Sequence, residues 1–578
     1  MASGNGSPAM EVGDLHKSFA RGKGRVQALQ GVSFRLEPGS VNALLGPDGA
    51  GKTTLIRLAA GVMAPDEGSV TVLGMDSVRD ARDIQAAIGY MPQRFGLYED
   101  LTVQENLDLY ADLQGVGREE RNKRYDALME MTNLAPFTKR LAGRLSGGMK
   151  QKLGLACSLL KTPRFLLLDE PTVGVDPLSR RELWSIIDTL VGQENITVLV
   201  STAYLDEASR CDSVFILLDG ELIGQGKPES FVEQARGRSW LVTPGDVPRM
   251  AQSRIFGKSG IADATLQSGQ VRVVTKEQEP PETLFKEAGA TGFEAVEPVF
   301  EDGFMLLLNR DAEAEDSSLT VSDRHEGDDT VIKVTGLERR FGDFFAVKGL
   351  EFSVRRGEIY GLLGPNGAGK STTFRMLCGL LPATGGTLEV AGQNLRRAAA
   401  KARKNLGYMA QKFSLYGQLS VRENLDFFSK VYGLSGEQRK ERVRWALDEL
   451  DLAGQADTTS GELPFGFRQR LSLACALMHE PDILFLDEPT SGVDPLARRQ
   501  FWSRINSLAE QGVTVVVTTH FMEEAEYCDR MLIMMSGELL AEGTPDEIRE
   551  HAGTGDGATI EDAFIKLVES HRARDKEA

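Results

Sequence analysis

The pattern G-x-x-x-x-G-K-[ST] occurs twice in this 578-residue chain, and the two copies stand in one fixed frame. The first reads Gly46-Pro47-Asp48-Gly49-Ala50-Gly51-Lys52-Thr53, followed by Thr54. The second reads Gly364-Pro365-Asn366-Gly367-Ala368-Gly369-Lys370-Ser371, followed by Thr372. Lys52 and Lys370 are 318 residues apart, and the same offset links Gln93 to Gln411, Ser146 to Pro464 and Asp169 to Asp487. One offset held across so many motifs identifies a tandem repeat of a whole domain. The copies differ where Ser146-Gly147-Gly148 corresponds to Pro464-Phe465-Gly466, and where Ala203 corresponds to His520.

The length accommodates two domains of more than about 200 residues each, with connectors. Apolar residues at 41% and charged residues at 26% describe ordinary globular protein. A net charge of −18 argues against nucleic acid as the main partner, because binding it requires basic surface to neutralise phosphates. Cys157, Cys211, Cys378, Cys475 and Cys528 form no C-x-x-C pair, which reads as free thiols in a reducing compartment. No apolar run approaches the roughly 18 to 20 residues that span a bilayer. The Gly/Ser-rich residues 1–8 lack an apolar signal core. Any membrane-spanning part is therefore expected on other chains.

Each repeat opens with strand patterns, 32–36 and then 41–45 in the first, the latter running into the phosphate loop. The apolar runs 165–168 and 197–200 read as buried parallel strands, with a helix over 178–190 between them. Between Gln93 and Ser146 the pattern is helical, clearest over 103–113 and 121–134, so a helical subdomain is inserted into an α/β core. The expected domain order is a flexible N-terminus (1–10), a first domain (11–237), an appended small α/β region (238–310), an acidic linker (311–329), a second domain (330–550) and a C-terminal tail (551–578). In the appended region Leu241-Val242 and 271–274 read as strands and 283–288 as a helix. The linker carries eight carboxylates against one Arg, which predicts disorder or a solvated tether.

A glycine-rich loop that opens a helix presents backbone N–H groups and the positive end of the helix dipole to polyphosphate. Lys52 and Lys370 are expected to reach the β- and γ-phosphates, and Thr53 and Ser371 to ligate Mg²⁺. The apolar strands ending in Asp169-Glu170 and Asp487-Glu488 place both carboxylates at a strand's C-terminal end, beside the phosphates. The aspartate would hold Mg²⁺ through water. The glutamate would polarise the attacking water.

These residues resemble the ATP-binding subunits of ABC transporters, with both nucleotide-binding domains on one polypeptide. The match covers 12–237 and 332–550. It rests on the phosphate loops, the loop glutamines Gln93 and Gln411, and the signature Leu145-Ser146-Gly147-Gly148-Met149-Lys150-Gln151. The resemblance implies two P-loop NTPase domains of ABC type, each an α/β core with an inserted helical subdomain. It implies Gln93 and Gln411 beside the metal, D-loop aspartates at Asp176 and Asp494, and a switch histidine at His520. It places Phe19 and Phe341 against adenine, with a core role open for Phe19 because four extra residues follow it. The segments Glu301-Asp302 and Glu561-Asp562 before Phe look like those of drug-exporter ATPases.

The resemblance also implies head-to-tail pairing of the two domains within the chain, each ATP lying between one phosphate loop and the other domain's signature. One site then combines Lys52, Thr53, Asp169 and Glu170 with Pro464-Phe465-Gly466. Pro464 offers neither hydroxyl nor N–H, although proline suits a first helical position. Phe465 stands where a glycine permits close backbone approach. The same site has Ala203 in place of the histidine. The other site combines Lys370, Ser371, Asp487, Glu488 and His520 with Ser146-Gly147-Gly148, and nothing is missing.

The expectation is an ATP- and Mg²⁺-dependent motor of an exporter, cytoplasmic and peripheral on the inner face of the cell membrane. Its partners would be two separate transmembrane permease subunits, different from each other, docked near 95–106 and 413–424. A tandem ABC ATPase acting on ribosomes and a sugar-importer ATPase remain as alternatives. The first usually joins its domains by a charged helical hairpin and keeps both signatures; the second usually degrades a phosphate loop.

Overall fold

The computed structural model describes residues 7–21, 24–93, 96–309, 330–411, 414–555 and 558–577. The acidic stretch 311–329, residues 1–6, Phe95 and Phe413 lie outside the described residues. The chain forms two compact units, Met1–Ala235 with Val299–Leu307, and Arg236–Pro298 with Leu308–Ala578.

The first unit is built on a six-stranded sheet in the order Glu221–Gly226, Ser213–Leu218, Val41–Leu45, Thr197–Thr202, Phe165–Asp169, Ile88–Met91. All neighbours are parallel except the first pair. Val41–Leu45 and Phe165–Asp169 are buried along their whole length, as expected of parallel strands covered on both faces. A second, antiparallel sheet holds Gly24–Leu36, Met10–Arg21, Glu67–Val72 and Met75–Asp76. Leu44, Leu55, Ile56, Leu167, Leu199 and Leu217 close the core between the sheets at full burial. Each such side chain contributes about 1.5–3 kcal/mol. The inserted helices are Val103–Leu113 and Arg118–Thr132, the first opened by a capping box between Thr102 and Glu105.

The second unit repeats this plan: Leu406–Met409, Ile483–Asp487, Thr514–Thr518, Ile359–Leu363, Arg530–Met535 and Glu538–Gly543 form its six-stranded sheet.

Three segments depart from the sequence expectation. Ala9 and Met10, expected in a flexible terminus, are buried, and Met10 opens the first strand; the Ala9 N–H bonds Leu36 O at 2.8 Å. Residues 551–578, expected as a tail, hold the helix Ile560–Glu577, which buries Ile560, Ala563, Phe564 and Val568. The region expected to be appended to the first repeat belongs with the second unit over Arg236–Pro298.

That region is a β-α-β-β-α-β module. Its sheet runs Ile261–Gln267, Gln270–Thr275, Ser239–Pro244, Ala290–Ala295, all antiparallel, with helices Pro248–Ile255 and Glu282–Glu287. Pro248–Ile255 packs on the helix Pro495–Glu510. Arg249 makes a two-pronged bond to Asp529, Nε to Oδ1 at 2.8 Å and a terminal nitrogen to Oδ2 at 3.1 Å. Arg499 reaches Asp263 at 3.5 Å and Asn506 reaches Gln252 at 3.4 Å. Arg499, Ser503 and Asn506 are buried, whereas their first-repeat counterparts Arg181, Ser185 and Asp188 are exposed. The chain then returns to the first unit in the helix Phe300–Leu308, where Phe300 meets Phe231 edge-on at 5.5 Å. A Cβ on Gly303 would stand 2.1 Å from Phe231 O, so only glycine fits that crossing.

Candidate functional site

In each unit the phosphate loop joins the central strand to a helix, Lys52–Ala59 or Lys370–Leu377. Gly51 and Gly369, at φ 103° and 104°, precede these helices, and neither helix start carries a side-chain cap. A Cβ on Gly51 would lie 2.3 Å from Ala28 O. The open N–H groups form a ready-made anion site. Lys52 Nζ donates to Gly46 O at 2.7 Å and Pro47 O at 3.1 Å; Lys370 Nζ donates to Gly364 O at 2.6 Å and Pro365 O at 3.1 Å. Both ammoniums are thus held over their loops, and Lys52 also stands 3.4 Å from Glu170.

Beside each loop the acidic strand ends. Thr53 Oγ1 donates to Asp169 Oδ1 at 3.1 Å, and Ser201 Oγ donates to the same oxygen at 2.7 Å. Asp169 Oδ2 is buried without a hydrogen-bond partner among the described residues. An orphaned carboxylate oxygen beside a hydroxyl and a phosphate cradle is the hard-oxygen donor set that suits Mg²⁺. In the second unit Thr518 Oγ1 donates to Asp487 Oδ1 at 2.7 Å. Burial pushes both aspartates above the ordinary carboxylate range, against the hydrogen bonds from Ser201 and Thr53 in one case and Thr518 in the other.

The following glutamates take left-handed backbone, φ 50° at Glu170 and 48° at Glu488, a cost of about 1–3 kcal/mol each. The strain is held by Ser201 Oγ and Thr518 Oγ1, each accepting from the glutamate N–H at 2.9 Å. Gln93 Nε2 donates to Glu170 Oε2 at 2.5 Å, and Gln411 Nε2 to Glu488 Oε2 at 2.6 Å. The loop glutamines therefore contact the glutamates rather than the aspartates.

The two sites part at the next strand. His520 Nδ1 lies 3.3 Å from Glu488 Oε2, both side chains buried, and His520 Nε2 has no hydrogen-bond partner among the described residues. Burial raises the Glu488 pKa, but the hydrogen bond and charge of His520, with Lys370 and Gln411, outweigh it and hold the carboxyl below its usual range. In the first unit Thr202 bonds Glu207 at 2.7 Å and receives the Tyr204 N–H at 2.9 Å; in the second Thr519 bonds Glu524 at 2.6 Å and receives the Phe521 N–H at 2.9 Å. The two turns share both of these hydrogen bonds, so Ala203 occupies the position of His520, and Glu170 has no imidazole there.

Ser146 caps the helix Gly147–Ser158, accepting from Met149 N at 3.3 Å. A Cβ on Gly148 would stand 2.6 Å from Ser179, so this glycine sets the approach to the helix Pro177–Glu194. Pro464, expected in the first helical position, is instead the N-cap of Phe465–Leu477, with φ −53° and no cap hydrogen bond. Phe465 lies under the Arg468 guanidinium, 5.4 Å away. Asp176 and Asp494 spend a side-chain oxygen capping their own helices, at 3.2 Å from Ser179 N and 3.0 Å from Ala497 N. Phe19 and Phe341 are exposed, at 40% and 46%, near the tips of corresponding hairpins, which removes the core reading of Phe19. Sequence reasoning missed Ser201, Thr518, Glu207 and Glu524; the aligned strand ends 198–202 and 515–519 carried the only signal for the first two.

A family model described as ABC transporter matches residues 29–173 and 347–491, half of the chain. A probable multidrug ABC transporter ATP-binding protein of Escherichia coli (strain K12) is 51% identical over 548 residues, covering 94% of this chain and 95% of that relative. A Nod factor export ATP-binding protein of Burkholderia orbicola (strain AU 1054) is 46% identical over 220 residues, 38% of this chain and 72% of the relative. The linearmycin resistance ATP-binding protein of Bacillus subtilis (strain 168) is 37% identical over 247 residues, 42% of this chain and 79% of the relative. With two phosphate loops, each beside its own Asp-Glu strand end, this chain belongs to the ABC transporter family as an ATP-hydrolysing component carrying two ATP-binding domains on one polypeptide.

Proposed function

We propose that this chain is the motor of a drug-exporter-type ABC transporter, driving separate membrane-spanning subunits through one complete and one degraded ATP site. The relatives named for multidrug transport, Nod factor export and linearmycin resistance favour export over the ribosomal and sugar-import alternatives. The observation that carries the inequality is the His520–Glu488 contact at 3.3 Å, set against Ala203 in the same turn of the first unit.

At the complete site Lys370 and the uncapped helix start hold the β- and γ-phosphates. Ser371 and Asp487 would hold Mg²⁺, with Gln411 nearby on Glu488, and a cation bound there would supply charge neutralisation for the phosphate oxygens. Glu488, kept ionised, accepts a proton from the attacking water. His520 steadies Glu488 and turns Nε2 toward the γ-phosphate. Head-to-tail pairing brings Ser146, Gly147 and Gly148 to this site. The other site, with Lys52, Thr53, Thr54, Gln93, Asp169 and Glu170, receives Pro464 and Phe465, which lack the hydroxyl and the open backbone. Phe19 and Phe341 stack on adenine.

No helix among the described residues is long and apolar enough to cross a membrane. The proposed partners are two different permease subunits at the inner face of the cell membrane, docking near 95–106 and 413–424. Support comes from Tyr98 and Tyr416, 56% and 51% exposed. The buried Asn106 holds the Tyr98 backbone through Tyr98 N at 2.9 Å and Tyr98 O at 3.0 Å, and Asn424 does the same for Tyr416 at 3.1 Å. A groove of about 670 Å³ lined by Met91, Leu97, Tyr110 and Leu113 adjoins the first segment. Crosslinking from Tyr98 and Tyr416 in native membranes should capture integral membrane subunits. Capture of ribosomal components alone would overturn the reading.

A further inference from the structure

Behind the switch histidine lies a buried carboxylate that no step above uses. Glu524, on the short helix Met522–Ala525, is 1% exposed. Its Oε2 accepts from Thr519 Oγ1 at 2.6 Å, and its Oε1 accepts from Thr490 Oγ1. Arg498 Nε stands 3.7 Å from the same Oε1, and the Arg498 guanidinium lies 4.1 Å over the Phe521 ring. Thr519 Oγ1 in turn accepts the Phe521 N–H at 2.9 Å. The residues before and after His520 are thus tied through one hydroxyl to Glu524. Thr490 is two residues beyond Glu488, and Arg498 lies in the helix that begins after Asp494. One carboxylate therefore fixes the histidine turn to the segment that carries the glutamate base.

The first unit provides the comparison. Glu207 takes the corresponding place and accepts from Thr202 Oγ1 at 2.7 Å. Its Oε1, and the Oγ1 of Thr172, which corresponds to Thr490, have no hydrogen-bond partner among the described residues. The Trp184 indole adjoins Glu207 without reaching hydrogen-bonding geometry. Where the switch position holds Ala203, the tie to the glutamate segment is not made.

We infer that Glu524 is the positioning residue of the working site: by bridging Thr519 and Thr490 it sets the His520 imidazole against Glu488. The inference rests on the reading of the second phosphate loop as the site of turnover. A misplacement of about 1 Å near reacting groups is enough to cost on the order of 10²-fold in rate. A purely structural carboxylate would instead act through stability and independently of His520.

The test uses the full chain. Glu524→Gln should lower kcat on the order of tenfold, leave the KM for ATP within about twofold, and leave binding of a fluorescent ATP analogue unchanged. In a His520→Ala background the same substitution should cost less than about twofold, because the group it positions is gone. Thr519→Val should show the same dependence on His520, Thr519→Ser should keep full rate, and Glu207→Gln should leave kcat unchanged. If Glu524→Gln does not fold, the Thr519 pair decides. Equal losses with and without His520, or a loss in Glu207→Gln equal to that in Glu524→Gln, would overturn the inference. A Glu488→Gln variant that keeps full turnover would instead remove the reading beneath it, and the two failures are thereby distinguished.

Discussion

His520 holds Nδ1 3.3 Å from Oε2 of Glu488, and the corresponding turn of the first unit puts a methyl group in that place. The rest of the two centres is closely matched: lysine over the loop, hydroxyl on the aspartate, glutamine on the glutamate, and left-handed backbone at Glu170 and Glu488 alike. The differences are Ala203 in place of His520, a Glu207 that does not bond Thr172 where Glu524 bonds Thr490, a Thr53–Asp169 bond in the first unit, and, in the repeat order, Pro464 and Phe465 in place of Ser146 and Gly147.

Removing the Arg249 side chain should loosen the β-α-β-β-α-β module from the second unit. The Arg249–Asp529 bond is bidentate and largely buried, so Arg249→Ala should cost about 1–3 kcal/mol of stability. Asp529 keeps its bond from Ile359 N at 2.9 Å, so the central strand should survive. Limited proteolysis checks this: cleavage within 236–298 should speed up, with little change in 483–518.

Glu207 provides a pH signature. Burial pushes its carboxyl up to about 7, with Asp206 adding and Arg180 opposing. A raised carboxyl contributes stability that is complete below its unfolded pKa of about 4.5 and is lost as pH rises through about 7. Glu207→Gln removes that slope. Its melting temperature should exceed that of the parent at pH 8 and approach it at pH 5, read by scanning calorimetry at both values.

Gly148 and Gly466 should respond differently to alanine. At Gly148 the new Cβ meets Ser179 at 2.6 Å, and relieving that overlap should cost about 1–3 kcal/mol and reduce turnover. At Gly466 the nearest atom is Ala497 Cβ at 3.7 Å, so the substitution fits and alanine's better helix propensity should offset any loss. Denaturant midpoints and ATPase rates of the two variants check the contrast.

Pro464→Ser with Phe465→Gly and Ala203→His should give the first phosphate loop a hydrolytic role. In a Glu488→Gln background this triple change should raise the residual ATPase rate, and the gain should vanish with Glu170→Gln. No gain would mean that another element of the first site is lost.

The parts of the fold legible in the sequence are those fixed locally. The apolar run 165–168 leads into an acidic pair and reads as a buried parallel strand, and Val41–Leu45 reads as a strand because its pattern runs into the phosphate loop; both are buried strands. The strands Ile261–Gln267 and Ala290–Ala295 were not legible: one buries Asp263 against Arg499 across more than two hundred positions, and the other is Ala- and Gly-containing with a weak strand signal. The allegiance of Arg236–Pro298 to the second unit is a nonlocal fact, carried by Arg249, Gln252 and Asp263 meeting partners late in the chain. At the site, phosphate loops and acidic pairs were readable by spacing. Ser201, Thr518, Glu207 and Glu524 were not, because each acts only through a neighbour brought in by strand pairing or a buried turn.

The most direct measurement is the steady-state ATPase rate of Glu488→Gln and Glu170→Gln in the full chain with its membrane partners, at saturating ATP and Mg²⁺. On the proposed assignment, Glu488→Gln should reduce turnover on the order of 10²-fold or more, while Glu170→Gln should leave most of it. Equal losses would contradict unequal sites, and a greater loss in Glu170→Gln would place turnover at the first phosphate loop instead.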